Sequence, residues 1–211
     1  SDALVLKIVK DELTAIRDEY GDARRTRIIE SSADISIEDL IEEEDMVVTI
    51  SRTGYIKRNP ITLYNSQKRG GKGKMAMGTK EDDFVEHLFV ASTHHMFLFF
   101  TNMGKVYWSK VYELPMASRT SKGRAIVNFL NFEKDEKLTT VLAVPSFEEG
   151  KNIVMATKNG LVKKTDLMAY SRPRLGGIIA IDLVPGDELV AARISDGTME
   201  VFLGTQKGKS I

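Results

Sequence analysis

Seven consecutive residues carry the most pointed chemistry in the chain: Gln67, Lys68, Arg69, Gly70, Gly71, Lys72 and Gly73. Three cations stand among three glycines, with no carboxylate. Glycine accepts φ > 0 and leaves the backbone uncovered. Arginine forks onto a phosphate, and lysine meets one as a point charge. The heptapeptide is suited to lie against an anion, although by itself it reads equally well as a solvated hairpin loop. Its surroundings favour the anion. From residue 51 to residue 80 there are eight bases (Arg52, Lys57, Arg58, Lys68, Arg69, Lys72, Lys74 and Lys80) and no acid. A one-sign run of that length is the electrostatic footprint expected of a nucleic-acid contact.

The formal net charge of +0 conceals this polarity. Residues 30–50 hold eight acids and no base, immediately before the basic run. With 211 residues the chain is long enough for one large domain or two small ones, and its 42% hydrophobic and 28% charged content is that of a globular protein. Cysteine is absent, which excludes disulfides, cysteine zinc sites and thiol chemistry and suits a reducing compartment. No apolar run reaches the roughly 18 residues of a membrane span. Ser1-Asp2-Ala3-Leu4 lacks an initiator Met and the pattern of a secretory signal, so the chain reads as an excised fragment.

The elements that must position the basic loop form a repeat. Apolar residues at Val5, Ile8, Val9, Leu13, Ile16 and Tyr20 predict a helix from Asp2 to about Tyr20, capped by Asp2, stopped at Gly21, with its stripe used for packing. Ser36 to Asp45 is expected to be a brief acidic helix with Ser36 as cap and Asp39 three residues on. Beyond Met46 the pattern turns to short β-branched and aromatic runs, which predict strands. Four of these runs end in Ser or Thr three residues before a glycine: Ser51 before Gly54, Thr101 before Gly104, Thr157 before Gly160 and Thr205 before Gly208. After the first three glycines come apolar/basic strands containing Lys57 and Arg58, Tyr107 and Trp108, and Lys163 and Lys164. An apolar residue follows seven places after each glycine, at Ile61, Val111 and Leu167.

A second glycine then closes a basic loop, at Gly73, Gly123 and Gly177. The second loop carries Arg119 and Lys122 and is followed by Arg124; the third carries Arg172 and Arg174. Further strands are expected over 74–77, 124–127 and 178–181, and joining strands over 84–91, 138–144 and 188–194. A period near 50 residues with about four strands per unit predicts an all-β, propeller-like array, with three units complete and a fourth begun. The expected domains are a helical segment with an acidic linker over 1–45 and the repeats over 46–211.

On these residues the chain resembles the C-terminal domains of the A subunit of bacterial DNA gyrase, a type IIA topoisomerase. The stretch 67–73 is similar to that family's hallmark heptapeptide, with Lys68 where the family usually has Arg. The repeats resemble its β-pinwheel blades, and Tyr20 to Thr26 resembles the end of the link from the cleavage core. The resemblance implies a disc whose rim binds, bends and wraps duplex DNA without sequence preference, supporting ATP-dependent negative supercoiling. It implies a bacterial cytoplasmic, nucleoid-associated protein with no membrane, whose partners are duplex DNA, the gyrase B subunit, and a second A subunit. Lys68 keeps the charge of Arg and loses its fork, so wrapping is expected to be retained and slightly weakened. A bulky residue at Gly70 or Gly71 is expected to harm as much as a lost charge. The family disc usually has six blades, so this stretch alone is expected to form an open arc with edge strands available for pairing.

No catalytic constellation is expected. In the family the cleaving tyrosine lies upstream in the cleavage core, and none of Tyr20, Tyr55, Tyr64, Tyr107, Tyr112 and Tyr170 matches its motif. No cofactor is assigned to this stretch; ATP and Mg belong to the holoenzyme. Gly204 to Ser210 falls short of a phosphate-binding loop, because the earlier glycine it needs would fall at Leu203. The histidines His87, His94 and His95 are expected to be structural, the adjacent pair lying in a strand, and Asp82-Asp83 and Glu148-Glu149 to be solvated turns. The acidic segment is expected to be a solvated linker rather than a guard that repels DNA. The candidate contacts are therefore residues 67–73, then Lys57, Arg58, Lys74, Arg119, Lys122, Arg124, Lys163, Lys164, Arg172 and Arg174. Three alternatives stand beside this reading: the corresponding domain of topoisomerase IV, which typically has a degenerate heptapeptide; a protein-binding propeller module that meets an acidic partner; and, last, an RNA binder, which lacks the stacking aromatics.

Overall fold

The computed structural model describes residues 2–26, 36–64, 78 and 83–211. The heptapeptide 67–73, Lys74 and the strand expected over 74–77 lie outside the described residues. The chain falls into two units, Ser1–Ser36 and Ile37–Ile211. The first contains the expected helix α1, Asp2–Tyr20. The amide of Gly21 donates to the carbonyl of Arg17 at 2.7 Å, and a Cβ on Gly21 would collide with that same oxygen, which is why the helix ends on a glycine. Within its own unit the helix buries no residue, so its apolar stripe is exposed there.

The second unit opens differently from the expected acidic helix. Only Glu38–Leu40 turn, as a single 3-10 turn preceded by Ile37 rather than capped by Ser36. Backbone pairing with residues 92–95 outcompetes helix over 42–44. The Thr93 hydroxyl donates to the Glu42 carbonyl at 2.9 Å, and the Thr93 amide donates to the Glu44 carbonyl at 2.9 Å. His94 and His95 lie in this turn rather than in a strand; His94 Nε2 is 2.8 Å from the Ile41 carbonyl.

The strands follow in chain order as β1 (Asp45–Ser51), β2 (Tyr55–Pro60), β3 (Val85–Ser92), β4 (Met96–Thr101), β5 (Lys105–Lys110), β6 (Arg124–Ala125), β7 (Leu138–Val144), β8 (Asn152–Thr157), β9 (Val162–Asp166), β10 (Ile178–Ile179) and β11 (Leu189–Ser195). Each Ser/Thr-x-x-Gly element is a hairpin turn. The glycine amide donates back to the Ser/Thr carbonyl at 2.9 Å in the first and 3.0 Å in the other three. The glycines take φ of 83°, 75°, 93° and 76°, the left-handed residue that ends a hairpin turn of this kind. The apolar residue seven places on opens a 3-10 turn each time, at Ile61–Leu63, Val111–Glu113 and Leu167–Tyr170.

The sheets run β3-β1-β2-β6, β10-β5-β4-β7 and β11-β8-β9. The fourth strand of each complete sheet comes from the next repeat: β6 pairs antiparallel with β2, and β10 with β5. Both donated strands are two residues long, shorter than expected. After Ala125 the chain turns into a short helix, α2 (Ile126–Phe129), which buries Ile126, so the expected strand over 124–127 is cut in half. The third sheet has three strands among the described residues, and the fourth repeat is present as a hairpin that bridges Gly204 to Ser210.

The middle sheet is buried on both faces, which explains why Met96 to Phe100 is continuously apolar. Successive side chains point to opposite faces. Phe97 and Phe99 pack with Val48, Ile50 and Ile56 of the first sheet, and Leu98 and Phe100 with Ile153, Met155 and Tyr170 of the third repeat. Each buried Phe or Leu contributes about 1.5–3 kcal/mol.

Candidate nucleic-acid interface

Strand exchange lays each of the two described basic loops against the edge strand of the repeat before it. The second loop, residues 118–123, is gripped by β2. The Lys57 ammonium donates to the carbonyls of Ser118 at 2.9 Å and Arg119 at 2.5 Å. Arg58 donates through Nε to the Leu114 carbonyl at 2.8 Å and through a terminal nitrogen to the Tyr112 carbonyl at 3.0 Å. The Asn59 amide donates to the Ala117 carbonyl. Gly123, at φ 80°, lies so close that a Cβ there would collide with the Ile56 carbonyl.

Lys57 and Arg58, expected from the sequence as contacts for a partner, are turned to the fold in this structure. Lys57 is 0% exposed. Burial, and then the neighbouring Arg119 charge, push its ammonium below the ordinary lysine value, so it serves the fold. Arg58 is half-buried; Nε and one terminal nitrogen donate to backbone carbonyls, and the other terminal nitrogen faces the Met46 sulfur at 3.9 Å. The loop's own cations Arg119 and Lys122 are half-buried, the Lys122 ammonium lying 3.9 Å from the Tyr55 ring centroid, and Arg124, which follows the loop at the start of β6, is exposed.

The third loop, residues 171–177, is gripped by β5 with different chemistry. Trp108 Nε1 donates to the Tyr170 carbonyl at 2.8 Å. Gly177, at φ 69°, sits where a Cβ would come within 2.8 Å of the Val106 carbonyl and 3.0 Å of the Tyr107 ring. Arg172 and Arg174 are exposed. In the third repeat Lys163 and Lys164 are exposed, and Lys163 Nζ donates to the Ala180 carbonyl at 2.7 Å. Of the candidates described, the fold thus groups Arg119 and Lys122 on one clamped loop with Arg124 at the start of β6 beside it, Arg172 and Arg174 on the next loop, and Lys163 and Lys164 on β9.

A family model described as DNA gyrase C-terminal domain, beta-propeller, matches residues 45–92, 95–145 and 151–196, one span for each repeat. The chain belongs to this family. It is 50% identical over 207 residues to the DNA gyrase A subunit of Salmonella typhimurium, covering 98% of this chain and 24% of that protein. It is 50% identical over 204 residues to the DNA gyrase A subunit of Mycolicibacterium smegmatis, covering 97% of this chain and 24% of that protein. The chain therefore spans about a quarter of the length of these relatives. Among solved structures, the C-terminal domain of DNA topoisomerase IV matches with a TM-score of 0.69 at 28% identity, over 81% of this chain and 52% of that one. A DNA gyrase A C-terminal domain matches with a TM-score of 0.56 at 23% identity, over 72% and 48%, a likeness of fold.

One recurring group in this gyrase C-terminal-family chain escaped the sequence reading. An acid stands two residues before each joining strand, at Asp83, Glu136 and Asp187, and each is buried. Asp83 accepts from the Thr53 hydroxyl at 2.6 Å and the Thr53 amide at 3.0 Å, which corrects its reading as a solvated turn. Glu136 accepts from the Thr101 hydroxyl at 2.7 Å and the Tyr107 hydroxyl at 2.9 Å. Asp187 accepts from the amides of Asn159 at 2.9 Å and Glu188 at 2.8 Å. Each acid ties the start of its joining strand to that repeat's own hairpin turn. The available signal was positional: an acid in register with the repeat, two residues before an apolar run. The histidines give no comparable cluster, and among the described residues no group of three or more His, Cys, Asp or Glu is placed to hold a metal.

Proposed function

We propose that this chain binds duplex DNA without sequence preference, bends it along successive basic loops and wraps it chirally, as the C-terminal part of a gyrase A subunit. In that reading it works in the bacterial cytoplasm at the nucleoid. Its partners there are a second A subunit, together with the gyrase B subunit, whose ATP-dependent negative supercoiling it supports. ATP and Mg act elsewhere in that assembly. The observation that carries the reading is the repeated clamp: basic loops 118–123 and 171–177 are each fixed to the preceding edge strand, the first with Arg119 and Lys122 half-buried and Arg124 exposed just after it, the second with Arg172 and Arg174 exposed. Loops held at equivalent places on successive blades present charge at intervals to a long polyanion. Phosphates are contacted without a base-reading helix, so specificity is weak. Bending a 20–30 bp site costs of order 1–6 kcal/mol. Counterion release offsets this, and log K falls by about 0.9 per phosphate contact per decade of salt. The heptapeptide 67–73 is the first candidate nucleus for the wrap, with Lys68, Arg69 and Lys72 as its phosphate donors.

The test is to ligate nicked circular plasmid with increasing amounts of the chain, remove the protein and read the linking-number shift on a gel. A protein-dependent shift abolished by Lys68→Ala/Arg69→Ala/Lys72→Ala supports wrapping nucleated at the heptapeptide. Absence of duplex binding at low salt would overturn the reading in favour of a module for an acidic protein partner. The 28% identity to a topoisomerase IV C-terminal domain makes the corresponding subunit of that enzyme the second reading. Bending without a chiral shift would favour it.

A further inference from the structure

Leu175 is the most exposed large apolar side chain among the described residues, at 103% of its reference area. Single exposed leucines are ordinary on protein surfaces; the placement of this one is not. It stands on the third basic loop, directly after Arg172, Pro173 and Arg174 and directly before Gly176 and Gly177. Both ends of that loop are held. The Tyr170 carbonyl accepts from the Trp108 indole at 2.8 Å, and the strand after Gly177 pairs Ile178 with Val106. The amide of Gly177 donates to the Arg174 carbonyl at 3.0 Å, which closes the tip into a turn. An apolar cleft of about 570 Å³, lined by Trp108, Phe129 and Leu130, borders the same loop. Leu175 borders that cleft yet stands fully in water, so the fold holds the isobutyl group outward although apolar cover adjoins it.

Resting on the reading of this chain as a DNA binder, we propose that Leu175 is a wedge that enters the minor groove and partly unstacks one base step, with Arg172 and Arg174 gripping the flanking backbone. The loop tip stands in open space: nothing lies within 4 Å of where a Cβ on Gly176 would be. A single exposed side chain can enter a groove about 6 Å wide, which a helix cannot. Leucine and proline are among the side chains that open base steps in this way, kinking the duplex by about 20–90° toward the major groove. The second loop has Thr120, Ser121 and Lys122 where the third has its apolar tip, so it grips without wedging. The DNA path thus combines smooth bending at one blade with a localised kink at the next, and the kink seats most readily on flexible pyrimidine–purine steps.

The test uses the full chain and a duplex whose single TA step carries 2-aminopurine in place of the adenine, with donor and acceptor dyes at its ends. The wild type is expected to raise 2-aminopurine fluorescence and shorten the end-to-end distance. Leu175→Ala is expected to lose most of both signals while Kd rises by less than about threefold, because the phosphate contacts remain. Leu175→Met is expected to keep both. Bound duplex with unchanged fluorescence and bending in Leu175→Ala overturns the wedge and leaves DNA binding standing. Failure of the wild type to bind duplex at low salt overturns the DNA reading itself, and the wedge with it.

Discussion

The two junctions between successive blades solve one problem with opposite chemistry. At the first, β2 presents Lys57, Arg58 and Asn59, and all three donate into the carbonyls of residues 112–119. At the second, the equivalent positions of β5 are Tyr107, Trp108 and Ser109, and a single indole hydrogen bond with aromatic packing holds the loop. A loop leaves a row of carbonyls facing the neighbouring sheet, and buried carbonyls must find donors. Cations satisfy several at once but must give up water to do so; aromatic side chains exclude water and leave fewer carbonyls to satisfy. The first junction thus commits two of the chain's positive charges internally, whereas the second leaves Arg172 and Arg174 facing outward.

The sharpest way to break this comparison is to remove the central side chain of each clamp. Lys57→Met keeps the length of the side chain but strands the carbonyls of Ser118 and Arg119 without their donor. Hydrogen bonds to charged groups contribute about 1.5–3 kcal/mol each, and stranded buried acceptors add a desolvation cost, so a loss of about 3 kcal/mol is expected. Trp108→Phe keeps most of the ring area and removes one neutral hydrogen bond, for about 1 kcal/mol. Urea unfolding of the two variants measures both. Equal losses would mean that the two clamps are energetically the same device.

That contrast also shows where the sequence could be read and where it could not. The Ser/Thr-x-x-Gly turns, α1 and the strands around Met46, Met96 and Ile153 were legible because their causes are local: left-handed glycines, a 3.6-residue stripe, and alternation or burial of short apolar runs. The exchange of the fourth strand was not legible, because Arg124-Ala125 and Ile178-Ile179 reveal their partners only through pairing with a different repeat. The same limit hid the role of Lys57. A lysine three residues after a turn glycine reads as a surface charge, and only the neighbouring loop of carbonyls makes it an internal donor. Among the candidate contacts, exposure separated Arg124, Lys164, Arg172 and Arg174 from Lys57 and Arg58.

A smaller effect depends on pH. Burial favours the protonated form of Asp83, but hydrogen bonds from the hydroxyls of Thr53 and Ser51 and the amides of Thr53 and Phe84 together hold its pKa below the ordinary 3.8. At Asp187 burial is likewise outweighed, here by the Thr157 hydroxyl, the amides of Asn159 and Glu188, and the Lys158 charge. Both folded values lie below the unfolded ones. Their stabilisation is therefore fully present above about pH 4 and is lost as pH falls through the folded values. The Asp83→Asn variant should be less stable than the wild type at pH 7, and the difference should shrink below pH 4. A difference constant from pH 7 to pH 2, followed by denaturant midpoint, would show that the carboxylate charge at Asp83 does not matter to the first repeat.

The smallest expected effects sit on single surface cations, and they test whether the two junctions really divide structure from binding. Arg172 is exposed on the loop whose clamp uses no cation, so Arg172→Ala should leave stability within about 0.5 kcal/mol of the wild type. The salt dependence of duplex binding should become shallower by about 0.9, the loss of one phosphate contact. Arg58→Ala should do the reverse. Its guanidinium already serves the carbonyls of Leu114 and Tyr112, so the salt slope should stay the same while the protein becomes less stable. Titrations of a labelled duplex at several salt concentrations, paired with urea unfolding of each variant, separate the two arginines. If both variants flatten the salt slope alike, the clamp at the first junction opens when DNA binds, and its cations serve both purposes in turn.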